Sequence, residues 1–299
     1  MSYGFYFWQR LLYQYLVFAG FTLLFFLIIL SNFWVAGRFV GKAGGEEAEP
    51  DATERSRLHR VIDKFRRGSL KFYIVFSLGI AVFLALPLYR RWEDALLYLF
   101  APASGLQDPA FGKDVSYYLF SLPIHQLLLR ELLLAMVLVF LGSALLYWRA
   151  SRRPAGQSLH LPRGGKIHLS VLVFVLFLLA TWFFMLRRYN LLYDQSHAPL
   201  FFGPGYTQMR VILPFIWLSI FSLLAVAVSF IALLDTHKGW KVLAGCAVVF
   251  LLAVAGLYSS FIPNLVQRYI VAPNQIVRER PFISHNIRAT LDAYNLSSV

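Results

Sequence analysis

An ionisable side chain in hydrocarbon is expensive, so in an apolar chain it is the first place to look for chemistry. At the outer end of the third of this sequence's long apolar spans one dipeptide qualifies, Arg130-Glu131. Successive helix residues point about 100° apart, which predicts that these two side chains do not pair and instead snorkel to an interface. A buried functional pair is the sharper alternative. The histidines, His59, His125, His160, His168, His197, His237 and His285, fall in loops, tails or span ends. Facing ligands for a membrane haem are therefore not expected. His160 and His168 share a loop with no Cys or acid beside them, a poor metal site. Cys246 is the sole cysteine, which excludes an internal disulfide or a thiolate cluster. HExxH, GxSxG, Walker and GxGxxG patterns are absent from the sequence. The residues predict no catalytic group, no cofactor and no metal.

Two further segments carry unusual chemistry for connections. Arg90–Leu122 reads RRWEDALLYLFAPASGLQDPAFGKDVSYYLFSL. Glu93-Asp94 can open a short amphipathic helix over Ala95–Phe100, Asp108-Pro109 and Gly112 turn the chain, and Asp114 suits the N-cap of a helix Val115–Leu122 that ends before Pro123. In Asn190–Arg210, Gly203-Pro204-Gly205 forces a tight non-helical turn between aromatics. Asp108, Lys113, Asp114, Gly203, Gly205 and Tyr206 join Arg130 and Glu131 as the candidate functional surface. The plainer reading of both segments is an elbow and a lid closing over the ends of helices.

The elements that must position these residues are set by composition. Apolar residues are 59% of the 299 and charged residues 14%, against roughly 45–50% and 25% in soluble domains. Mean hydropathy is +0.61. A soluble core cannot absorb that surface. The expected fold is all-α, a polytopic transmembrane bundle of six spans with extracytoplasmic interfacial elbows. Runs free of Asp, Glu, Lys and Arg place the spans at Leu11–Gly37, Phe72–Tyr89, Leu132–Trp148 (its helix starting earlier, near Pro123), Leu169–Leu186, Val211–Leu234 and Val242–Gln267. Pro263 should end or kink the last. The first run is too long, and too poor in flanking basic residues, for a cleavable signal.

Orientation follows from Lys and Arg. Segments 38–71, 149–168 and 235–241 hold sixteen, against seven in the opposite connections before the tail. The richer side should be cytoplasmic, leaving both termini extracytoplasmic in a cell membrane. Trp8, Trp92 and Trp182 then mark outer ends and Trp34, Trp148 and Trp240 inner ends, with Trp217 deeper. The net charge of +13 reads as this loop bias, not as nucleic-acid binding. Gly41–Asp51 reads as a flexible linker, and Arg55–Lys71 as a basic helix that can lie on anionic lipid. The chain divides at 267: a six-helix domain over 1–267, then an extracytoplasmic tail over 268–299. In the tail, Tyr269–Ala272 reads as extended, Pro273-Asn274 as a break, and Pro281 as the first turn of an amphipathic helix reaching Leu296. Its stripe of Ile283, Ile287, Leu291 and Tyr294 needs a cover, from an extracytoplasmic domain or subunit.

Three stretches resemble a known group: DPAFGKDVSYYLF at Asp108–Phe120, FGPGYT at Phe202–Thr207, and LVQRYIVAPNQIVRERPFISHNIRATLDAYNL at Leu265–Leu296. On these the chain resembles uncharacterised protein family 0182 of the UPF series, large bacterial and archaeal membrane proteins. The resemblance implies a multi-helix membrane region that precedes a large extracytoplasmic domain, and carries over no activity, substrate or catalytic residue. Many members have a further apolar helix before the position of Trp8, and continue well past that of Val299. On the resemblance, then, the sequence is either the membrane part alone or a short variant. The expected function is a non-enzymatic membrane anchor or assembly domain for an extracytoplasmic module. The alternative is a transporter or channel component for a hydrophobic or lipid-like substrate, which would need no mid-membrane carboxylate. An intramembrane enzyme is the least favoured, for want of a nucleophile–base pair.

Overall fold

A computed structural model of the chain describes residues 3–43, 70–150, 163–197, 201–232, 239–294 and 296. The basic segment at 55–69, the linker at 44–51, and His59, His160 and His237 lie outside the described residues. The main helices are α1 (Tyr3–Ala43), α2 (Leu70–Arg90), α3 (Trp92–Phe100), α4 (Leu122–Ala150), α5 (Arg163–Arg187), α6 (Leu213–Ala232), α7 (Trp240–Tyr258), α8 (Phe261–Val266) and α9 (Gln275–Ala293). Among the described residues the only paired extended backbone is one isolated bridge, Gln107 to Asp114. The fold is all-α. Among the described residues six stretches are long and apolar enough to cross a membrane: Gly4–Val40, Lys71–Arg90, Tyr117–Trp148, Arg163–Tyr193, Gln208–Ala232 and Trp240–Tyr258.

The chain forms two compact units. The first comprises Met1–Ala101 with Pro123–Leu176, the second Pro102–Leu122 with Phe177–Val299. In the first, α1 packs along α2. α1 buries Phe25, Ile29, Phe33, Ala36 and Val40, and α2 buries Tyr73, Ser77, Ala81, Leu84 and Leu88. Both runs step 4, 4, 3, 4, the spacing that keeps one face of a helix on its neighbour. Gly37 makes room for a ring, since a Cβ there would lie 2.3 Å from the Tyr73 hydroxyl. In the second unit α6 packs on α7, and Ile216, Ile220 and Leu223 cluster with Phe184, Leu191 and Leu257.

Three of the expected helix limits are corrected, and proline explains each. The helix of the first elbow does not end before Pro123: it runs from Val115 into α4 through a wide π turn at Tyr117–Ser121. The stretch Tyr269–Ala272 is not extended: Tyr269–Val271 lies in a second such turn, Gln267–Val271, Ala272 opens a 3-10 turn over Ala272–Asn274, and a third wide turn occupies Gln208–Ile212. A proline follows two residues after each, at Pro123, Pro273 and Pro214, and the residue just before it donates its N–H to the carbonyl five back. A proline ring collides with the carbonyl four residues back, and widening the turn removes that carbonyl without breaking the helix. The sixth span, for its part, stops at Tyr258 instead of reaching Gln267. Ser259 is extended there, its Oγ accepts the Phe261 N–H at 3.1 Å, and Pro263 falls in the first turn of α8, where a missing N–H costs nothing.

Candidate functional site

Arg130 and Glu131 do pair, against the expectation from helix geometry. Both Nε (2.9 Å) and Nη2 (2.7 Å) of the guanidinium donate to Glu131 Oε1. Adjacent Cβ directions diverge, but an arginine stem is long enough to close the gap. The two ends differ sharply in environment: the Arg130 side chain is 66% exposed and that of Glu131 only 4%. Both line a cleft of about 710 Å³ within the first unit, which also takes in Arg90, Arg91, Phe83 and Leu134.

The same unit holds a second polar cluster. His168 is not in a loop, as the sequence suggested. It lies in the second turn of α5, which begins six residues before the apolar run. Its ring is buried between α1 and α4, with Nδ1 2.8 Å from the Tyr147 hydroxyl and Nε2 3.3 Å from Asn32 Oδ1. Asn32 Nδ2 donates to the Ile28 carbonyl at 2.7 Å, so its oxygen faces the histidine. That orientation makes Nε2 the protonated nitrogen and Nδ1 the acceptor of the tyrosine proton. Every polar atom of the ring has a partner, and Ala36 and Val40 pack beside Tyr147. The cluster ties three helices together and presents no group to a substrate.

In the second unit the elbow is a tight hairpin. Asp108 N donates to the Lys113 carbonyl and Val115 N to that of Leu106, with Gly105 (φ +75°) and Gly112 (φ +65°) in the left-handed region. Asp108 is buried: Oδ1 accepts the Ala110 N–H, and Oδ2 the Phe111 N–H and the Tyr118 hydroxyl. Asp114 gathers the Ser104 N–H and hydroxyl, the Gly105 N–H and the Ser116 N–H. Hydrogen bonding from Ser116, and then from Ser104, holds this carboxyl well below the usual carboxylate range. Both acids are therefore occupied by the hairpin itself. Lys113 is exposed, its Nζ 5.7 Å from the Tyr117 ring centre.

The lid and the tail meet at a residue that the sequence reading passed over. Glu279 of α9 is 0% exposed. Its Oε2 accepts the Tyr206 N–H at 2.9 Å, and its Oε1, which has no hydrogen-bond partner among the described residues, lies 3.7 Å from His197 Nε2. The His197 ring stacks on Phe201. Gly203 turns the lid at φ +99°, and Gly205 admits the clasp, since a Cβ there would sit 2.5 Å from the histidine ring and 2.9 Å from Glu279 Oε2. Gln208 braces the lid from behind, donating to Asp194 and Ser196 and accepting the Gly205 N–H. Asn286 Nδ2 adds a bond to the Phe202 carbonyl, and Arg278 lies 5.3 Å over the Tyr206 ring.

The amphipathic tail helix exists but begins at Gln275, with Pro281 inside it and not in its first turn. Glu279, Ile283 and Asn286 share the face turned to the lid, and Ile283 is half-buried. The rest of the expected stripe faces out: Ile287 is 54% exposed, Leu291 38% and Tyr294 74%.

Ser196 Oγ lies 3.1 Å from His197 Nδ1, which gives the order Ser196–His197–Glu279 of a nucleophile, base and acid. The imidazole–carboxylate separation exceeds hydrogen-bonding reach, and the other carboxylate oxygen is taken by the Tyr206 amide. The arrangement is a clasp between two segments. Among the described residues there is no group of three or more His, Cys, Asp or Glu able to hold a metal. Of the expected surface residues, the structure gathers Gly205 and Tyr206 around Glu279, keeps Asp108 and Asp114 in the elbow, and leaves Arg130 and Glu131 in the first unit's cleft. Glu279 had one sequence signal, as the only acid in a helix start otherwise rich in arginine, Arg278-Glu279-Arg280.

Comparison with known proteins adds a family but no chemistry. A family model described as Uncharacterised protein family (UPF0182) matches residues 1–299. The chain is 47% identical over 299 residues to a UPF0182 protein of Syntrophobacter fumaroxidans, covering 100% of this chain and 34% of that protein. It is 45% identical over 298 residues to one from Nitrosococcus oceani, again 100% and 34%, and 39% identical over 296 residues to one from Methylococcus capsulatus, 99% and 33%. The chain thus spans about a third of the length of the curated relatives it matches. No solved structure matches it.

Proposed function

Because this chain belongs to uncharacterised protein family UPF0182, we propose that it is the membrane part of a larger assembly and docks an extracytoplasmic module. One observation carries the reading. Lid and tail are clasped by a fully buried carboxylate, yet the helix so fixed keeps Ile287, Leu291 and Tyr294 open. A rigidly held helix with an open apolar face suits a docking element, because the cost of ordering it is met before the partner arrives. The occupant we assign to it is the polypeptide that the relatives carry outside the matched third. Each aliphatic side chain fully covered would contribute roughly 1.5–3 kcal/mol.

The proposal includes an orientation, with the Lys- and Arg-rich connections on the cytoplasmic side of a cell membrane and both termini outside. In intact cells a Ser104→Cys variant lacking Cys246 should react with an impermeant maleimide, and Ser56→Cys should not; the reverse pattern refutes it. The docking itself is tested by co-expression. The chain and, as a separate polypeptide, the unmatched part of the Syntrophobacter relative should co-purify, and Ile287→Asp with Leu291→Asp should abolish capture. Capture that survives the double substitution would remove this face as the docking element. The alternative reading, a transporter or channel component for a lipid-like substrate, draws on the cleft of the first unit. Flux through liposomes holding this chain alone would favour it.

A further inference from the structure

The geometry of the first unit's cleft points to a binding site for one anionic phospholipid, its phosphate held by arginines and an acyl chain laid between α2 and α4. Each helix offers the cleft one face. From α2 come Phe83, Leu86, Pro87 and Arg90, and from α4 Leu127, Arg130, Glu131 and Leu134, all at i, i+3, i+4, i+7 spacing. Seven residues separate Phe83 from Arg90, so the α2 wall passes from apolar to cationic over about 10 Å. On α4, Leu134 precedes Arg130 by one turn in the same sense. Arg91 completes a trio of arginines at the polar end.

The charge is unbalanced, and the imbalance is accessible. Among the described residues Glu131 is the only acid lining the cleft, and it is already bound by Arg130. Arg91 has Asp94 at 3.9 Å. Arg90 is exposed and has no hydrogen-bond or ion-pair partner among the described residues. A guanidinium fork matches the spacing of phosphate oxygens, and a free one beside a second supplies a phosphate seat. The apolar wall is accessible too, with Phe83 63%, Leu86 41% and Leu134 41% exposed. A volume of about 710 Å³ holds much more than a phosphate ion and falls within the range of small-molecule sites.

Depth agrees with an amphiphile. Glu131 lies 17 residues from Trp148 along one helix, about 26 Å of rise, close to the roughly 30 Å of a hydrocarbon core. With Trp148 at one headgroup level, the arginines stand at the other, and the apolar wall extends from them into the hydrocarbon. A cationic pocket between membrane helices is a known way of selecting an anionic headgroup. The inference does not depend on the docking role of the tail, which concerns the other unit.

The test uses the purified chain in detergent and native mass spectrometry. Phosphatidylglycerol should be retained as one bound lipid, about tenfold more than phosphatidylcholine of the same chains. A phosphatidylglycerol with a diazirine in its acyl chain should crosslink at Phe83, Leu86 or Leu134. Inorganic phosphate at millimolar concentration should not displace it. Arg90→Gln should lower retention about tenfold, and since Arg90 is exposed and unpartnered the variant should fold. Leu86→Trp should give a similar loss with the charge unchanged, by filling the cleft. Equal retention of phosphatidylcholine would mean bulk lipid only and would overturn the proposal. So would full displacement by inorganic phosphate, which would mark a phosphate seat with no lipid selectivity, or indifference to both substitutions.

Discussion

Glu131 and Glu279 are both almost sealed from solvent, at 3% and 0% exposure, yet they are held in opposite ways. Glu131 is met by Arg130, the neighbouring residue, whose own side chain is two-thirds exposed. Glu279 is met by a backbone N–H from 73 residues away and faces a histidine whose side chain is 8% exposed. The first carboxylate is neutralised by a flexible group that remains in contact with solvent, so removing its charge disturbs little else. The second joins two segments of the chain, and its loss leaves polar atoms facing nothing. Burial of an acid does not by itself report importance; the mobility and hydration of its partner do.

The largest effect that follows is for Glu279→Ala. It leaves the Tyr206 N–H without its acceptor, which costs about 1–3 kcal/mol, and leaves the His197 ring facing an emptied site. The tail helix should loosen from the lid, and trypsin should cut after Arg288, within the same helix, at least several times faster than in the parent. Glu279→Gln, which keeps an acceptor for the amide, should fall between the two. A parent-like digestion pattern for Glu279→Ala would mean that the clasp holds nothing, and the contrast with Glu131 would disappear.

Replacing both Arg130 and Glu131 with Gln sharpens the contrast from the other side. Solvent screens the Arg130 end of the pair, which limits what the pair contributes, and the two amides can still bond to each other. The detergent melting curve should move little, well short of the change in Glu279→Ala. Unfolding of the double variant would show that the Glu131 charge is structural after all.

The contrast also shows what a sequence can carry. Span number and the elbow's turn residues were legible because they are local: hydropathy over one helix length, and Asp, Pro and Gly with fixed backbone habits. Gly203 turns where it was expected to, at φ +99°. Helix limits near Pro123 and Pro273 were misread because proline was taken as a terminator, when a wide turn lets the helix continue through it. The pairing of Arg130 with Glu131 was missed because Cβ directions say nothing of where a long side chain ends. The clasp was beyond reach altogether, since Glu279 and Tyr206 lie 73 residues apart and only the folded chain brings them together.

The smallest expected effect concerns a third carboxylate, Asp114, which extends the comparison to an acid that is only partly buried. Its partners are fixed, as those of Glu279 are: the amides of Ser104, Gly105 and Ser116 and the Ser104 hydroxyl. These hydrogen bonds favour the ionised form, so its pKa in the folded chain lies below the unfolded value. A depressed folded value contributes stability that is fully present above the unfolded pKa, about 3.9, and is lost only as pH falls through the folded value. The elbow should therefore keep its shape at about pH 4, where an ordinary Asp is already half protonated. Amide exchange at Ser104 and Gly105, corrected for the intrinsic pH dependence of exchange, should show equal protection at about pH 6 and pH 4 in the parent chain. Asp114→Asn should lower that protection at both values and leave the melting temperature close to that of the parent, because the hairpin is small and peripheral. Protection that collapses between those two pH values would mean that Asp114 titrates as a free carboxylate. The elbow would then be held by its glycine turns and backbone pairs alone, and exposure, more than the fixity of the partners, would govern what a carboxylate contributes in this protein.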